Sequence, residues 1–65
     1  MKLNVLAIKK LLAEKRMTIT ALAQAAGISK SLMCLILRRG SCSIKNCGLI
    51  ADALNVEIEE IWKGD

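Results

Sequence analysis

Apolar residues recur at helical spacing along nearly the whole chain. Val5, Ile8 and Leu12, with Leu11 beside them, make one stripe, and Lys9, Lys10, Glu14 and Lys15 fall on the opposite side. This pattern predicts a first helix over residues 4–16. A second is expected over 19–26, with Thr18 as its cap and Gly27 as a left-handed exit. A third is expected over 30–38, started by Ser29 and stopped at Gly40, with Arg38 and Arg39 at the negative end of its dipole. Ser43 opens a fourth over 44–54, which leaves through Asn55, and a short fifth turn covers 57–62. No stretch alternates over strand length, and there is no repeat, low-complexity tract or linker, so a single all-α domain over 1–65 is expected.

The second and third helices stand out. Only two or three residues separate them, too few for an antiparallel hairpin, so they must cross steeply. A helix, a tight glycine turn and a second helix are the outline of a helix-turn-helix unit. The finer spacing fits. Ala23 is small where the helices must approach closely, and Gly27, four residues later, supplies a positive φ for the turn. Leu22, Ala26, Ile28, Met33 and Ile36 fall on the inward positions.

Composition narrows the chemistry. The chain has 65 residues, 54% of them hydrophobic, with Trp62 the one aromatic and neither Pro nor His. Such a core is aliphatic. Lack of His removes the usual general base and the commonest metal ligand. Neither catalysis, nor a cofactor, nor a small-molecule ligand is expected from so short a chain.

Charge is unevenly spread: residues 1–45 hold nine basic residues and the one acid Glu14, a balance of +8, whereas residues 46–65 hold Lys63 and five acids, a balance of −4. That asymmetry suits a face meant for a polyanion. Lys9 and Lys10 interrupt the apolar start, so neither a signal peptide nor a membrane span is expected, and Cys34, Cys42 and Cys47 are read as reduced thiols of a cytoplasmic protein.

Three segments, TITALAQAAGISKS, RRGSCS and LIADALNVEIEEIW, together resemble the phage repressor and Cro-like (XRE) helix-turn-helix family over about residues 8–62. The resemblance implies a compact five-helix, lambda-repressor-like domain that binds operator DNA, usually as a dimer, with its third helix in the major groove. Three departures are visible. Ile19 stands where many members have a phosphate-holding Gln. Leu12 and Leu37 stand where many have an Arg–Glu pair, so both partners are replaced together, which avoids a buried unpaired charge. The segment from Ile28 to Gly40 is also one residue longer than the commonest pattern.

On this resemblance Lys30, Ser31, Cys34 and Leu35 are the candidate base contacts, since Lys can donate to guanine, Ser can donate or accept, and Leu35 can touch a thymine methyl. Thr18, Ser29, Arg38, Arg39, Ser41 and Lys45 are candidate phosphate contacts. Val56, Ile58 and Trp62 are candidate homodimer contacts, Trp62 doubling as a lid on the core. The expected function is sequence-specific regulation of transcription, in the manner of a repressor. The alternative is an antitoxin- or adaptor-like protein-interaction module with little DNA affinity, which a continuous Leu32–Leu35 patch would favour. Cys42 and Cys47 are spaced C-x4-C without a supporting His, so no metal is expected. Cys47 reads as a small buried apolar residue and Cys34 as an outward-pointing one, and a Cys-based redox or metal switch is a third reading.

Overall fold

In the computed structural model, which describes residues 1–64, the chain forms α1 (Val5–Lys15), α2 (Ile19–Ala26), α3 (Lys30–Arg39), α4 (Ile44–Leu54) and α5 (Ile58–Ile61), with β1 (Lys2–Leu3) and β2 (Trp62–Gly64) at the two ends. Four of these helices start at a short polar side chain that accepts a backbone N–H three residues on. Asn4 accepts from Ala7 at 3.0 Å, Thr18 from Ala21 at 3.0 Å, Ser29 from Leu32 at 3.1 Å and Ser43 from Asn46 at 3.2 Å. Each bond satisfies one of the free amides of a first helical turn. In α5 that job falls to Glu60, whose carboxylate accepts the Glu57 N–H at 3.1 Å.

The exits of α1 to α4 are equally local. Arg16, Gly27, Gly40 and Asn55 all take left-handed conformations, with φ of 55°, 72°, 72° and 58°. The residue after three of these exits then reaches back to a free carbonyl: Met17 to Leu12 at 2.9 Å, Ile28 to Ala23 at 2.9 Å and Val56 to Ala51 at 3.0 Å.

The boundaries of three helices differ from expectation. The fifth helix is only four residues long, and Trp62 has left it for an extended conformation at φ −94°, ψ 130°. Trp62 then opens β2, which pairs antiparallel with β1 through Lys2–Gly64 and Leu3–Trp62, with a bulge between the two pairs. The first helix is one residue shorter at each end than the pattern predicts, because Asn4 and Arg16 are its caps, and the third extends to Arg39. The small ribbon is anchored on both sides. Lys2 bridges to Ser41, Leu3 donates to Gly40 O at 2.8 Å, Asn4 donates to Ile61 O at 2.8 Å, and the Met1 ammonium donates to Cys42 O at 2.9 Å.

The core lies between these elements. Ile8 and Leu12 of α1, Leu22, Ala23 and Ala26 of α2, Met33, Ile36 and Leu37 of α3, and Cys47, Ile50, Ala51 and Leu54 of α4 are buried, with Leu3, Ile28 and Ile61 closing it. α2 packs on α3 and α4, while α5 packs on α1 and α4. Among the described residues no polar or charged side chain is buried. Leu12 and Leu37 both belong to this apolar cluster, which is where a departure from the ion pair leaves them. The resulting body measures 28 × 22 × 18 Å.

Candidate nucleic-acid interface

The axes of α2 and α3 turn through 109° at the Gly27–Ser29 break. Gly27 makes the corner with its φ of 72°, its N–H shared between Ala23 O and Gln24 O. Ser29 follows in an extended conformation and caps α3. Ala23 and Ala26 are buried on the inner side of this corner, so α2 turns its small residues inward. The inner side of α3 is equally apolar, with Met33, Ile36 and Leu37 all buried.

The outer side of α3 is then fixed by the 100° step of a helix. Lys30, Ser31, Cys34 and Arg38 are all exposed there. Leu35 is half-buried at one border of this face, beside Leu32, which is 39% exposed. Of the candidate phosphate contacts, Thr18, Ser29, Arg38, Arg39 and Lys45 are exposed, and Ser41 is half-buried because its backbone pairs with Lys2. Thr18 and Ser29 use a hydroxyl lone pair for their caps, which leaves each O–H free to donate outward. Arg38 and Arg39 also complement the negative end of α3.

Acids are kept away from this face. No Asp or Glu occurs between Glu14 and Asp52, so α2 and the loops on either side of α3 carry no charged side chain, and α3 carries only the cations Lys30, Arg38 and Arg39. Asp52, Glu57 and Glu60 instead line a depression between the end of α4 and the start of α5. Glu14 and Glu60 line another, with Lys10. Asp65, part of the acidic tail expected from sequence, lies outside the described residues.

The candidate dimer residues differ in exposure. Val56 and Ile58 are half-buried against the core, and Trp62 projects from β2 at 40% exposure. Trp62 stands in β2 rather than in the helix expected for it, and the larger part of its surface is covered. Lys2 and Lys63 were not singled out by the sequence pattern. They line a groove with Arg39, and a spacing of 61 residues gives no local signal of that.

Cys34 is exposed and Cys47 fully buried, as expected, and Cys42 is half-buried. Burial pushes the Cys42 thiol above its ordinary range, helped by the neighbouring Cys47 and opposed by the N-terminal charge. Burial likewise pushes Cys47 up, against a lowering by its hydrogen bond with Cys42 and by the N-terminal charge. Among the described residues no group of three or more potential metal ligands comes together. Also among them, no single helix is long and apolar enough to cross a membrane.

A steeply crossed helix pair with a glycine corner and an acid-free cationic outer face defines a helix-turn-helix DNA-binding domain. A family model for the Cro/C1-type HTH DNA-binding domain matches residues 7–63. The chain belongs to that family, a non-enzymatic class whose partner is double-stranded DNA. Comparisons with curated proteins and with solved structures returned no match.

Proposed function

We propose that residues 1–65 act as one domain that regulates transcription by reading a specific duplex sequence, with α3 in the major groove. The observation that carries this reading is the split of α3 into a fully apolar inner side and an exposed Lys30, Ser31, Cys34, Arg38 side. The amino-terminal end of a recognition helix reaches deepest into the groove, which makes Lys30 and Ser31 the first base contacts, with Cys34 and Leu35 one turn on. Thr18, Ser29, Arg38, Arg39, Ser41 and Lys45 hold the phosphates on either side and set the register.

A body 28 Å long spans about eight base pairs at 3.4 Å per step, too few for high specificity. Two copies on a palindrome, half-sites about one helical turn apart, provide the remedy. Val56, Ile58 and Trp62 are the residues proposed for that contact. Repression is the expected outcome, in the cytoplasm, without cofactor.

Leu32 and Leu35 leave room for a second reading, a protein-interaction module, since both keep some apolar surface on α3. The cations around them and the lack of acids favour DNA. Selection of binding sites from random duplexes tests the choice. Enrichment of a palindrome is expected. No enrichment, with affinity that barely changes between low and moderate salt, would replace DNA reading by protein binding.

A further inference from the structure

We propose that the terminal ribbon provides a second phosphate-binding surface for the DNA backbone, formed by Lys2, Arg39 and Lys63; it rests on the reading of α3 as the helix that meets DNA. The three side chains line one open groove of about 680 Å³ between β1, the start of α1, the end of α3 and β2. Among the described residues, no acid lines it. All three cations are exposed.

The placement is fixed by backbone pairing rather than by the side chains themselves. Lys2 bridges to Ser41, and Leu3 donates to Gly40 O at 2.8 Å, so β1 is tied to the exit of α3. Lys2 also pairs with Gly64, which brings the neighbouring Lys63 to the same end of the ribbon. Arg39 lies one residue past Arg38, about 100° around α3, so it stands at the flank of the proposed base-reading face. A helix in the major groove has a phosphate backbone on each flank, and Arg39 points the groove toward one of them.

A repeating polyanion is the occupant that charge selects. Three exposed cations line one open groove, and no acid among the described residues lines it. They suit successive phosphates of one strand, each neutralised with release of a counterion. Val5 and Leu6 give the groove an apolar wall, and Leu6 is 69% exposed. Sugar contacts accompany phosphate contacts in protein–DNA interfaces, and a deoxyribose face is the apolar partner available there.

The test compares two double variants of equal net charge. Lys2→Gln with Lys63→Gln removes the ribbon cations. Lys9→Gln with Lys10→Gln removes two exposed cations of α1 and serves as the control. Each is titrated with the duplex chosen by selection, over a series of salt concentrations. The ribbon variant should flatten the plot of log affinity against log salt by about 1.8, the contribution of two phosphates, with the control slope unchanged. Equal flattening by both variants, or none by the ribbon variant, overturns the proposal while leaving α3 readout intact. Failure of the wild-type chain to bind any duplex removes the reading of α3 as well. Acetylation mapped by mass spectrometry gives a readout that needs no variant. Duplex should shield Lys2 and Lys63 several-fold more than Lys9 and Lys10, and equal labelling of the four would overturn the proposal.

Discussion

The helix-turn-helix of α2 and α3 and the ribbon of β1 and β2 meet at Gly40, yet they are held by different kinds of bond. In α2 and α3 every start and stop is decided within a few residues: Thr18 and Ser29 cap, Gly27 and Gly40 exit. The ribbon has no such local device. Lys2 and Leu3 are extended because Gly40, Ser41, Trp62 and Gly64 present backbone groups to them from far along the chain. A region written in local signals forms its elements early and keeps them under mutation elsewhere. A region written in long-range pairing depends on the rest of the fold being in place.

The largest effect that would test this contrast lies in the helical body. Leu12→Arg places an unpartnered charge in the core and should cost about 3–5 kcal/mol. Combining it with Leu37→Glu should recover much of the loss if the two side chains face each other. Denaturant melts of the singles and the double decide it, and a double no better than the sum of the singles would mean that they do not meet.

Next comes a pair of buried leucines, one from each region. Leu22→Ala in α2 and Leu3→Ala in β1 each remove a core side chain, and such changes cost about 2–5 kcal/mol. Leu22 should lie near the top of that range and Leu3 near the bottom, because the ribbon can open locally without unfolding the helices. Equal costs in thermal melts would show that the ribbon unfolds only with the body, and the contrast would fail.

The third comparison concerns function at the two ends of α3, of which the Arg39 end adjoins the ribbon. Lys30→Ala should weaken binding to the selected duplex by about 1–3 kcal/mol and relax the choice at one base pair. Arg39→Ala should weaken all sequences alike and flatten the salt slope by about one. Neither should unfold the domain, since both side chains are exposed. Titrations on selected and random duplexes separate the roles. A uniform loss for Lys30→Ala would move it among the phosphate contacts.

The smallest effect contrasts two glycines with equally open surroundings. Neither Gly27 nor Gly48 has any neighbour within 4 Å of where a Cβ would sit. Gly27→Ala should cost about 1–2 kcal/mol, because its φ of 72° is strained for any L side chain. Gly48→Ala should stabilise α4 by about 0.5–1 kcal/mol, because its backbone is helical there. Melting temperatures of opposite sign check both, and a neutral Gly27→Ala would show that the corner is not held by its backbone conformation.

Sequence alone carried a large part of this protein. The apolar stripe of α1, the caps Thr18, Ser29 and Ser43, the exits Gly27, Gly40 and Asn55, and the inner set Leu22, Ala26, Ile28, Met33 and Ile36 were all legible. Each depends on residues within one or two helical turns, where spacing and side-chain chemistry act directly. The outward face of α3 followed from the same periodicity once its inward face was known.

Tertiary structure alone decided the ends. Glu57, Glu59 and Glu60 favour a helix start, and nothing local stops that helix before Trp62. Its end at Ile61 is set by the Asn4 N–H on Ile61 O and by the pairing of Leu3 with Trp62. Strands of two and three residues are too short to show alternation, so periodicity cannot announce them. The same pairing turned Trp62 outward and set Lys2, Arg39 and Lys63 around one groove. Local chemistry wrote the helices and their faces. Only closure of the chain on itself, through hydrogen bonds between its two ends and the exit of α3, determined which distant residues share a surface.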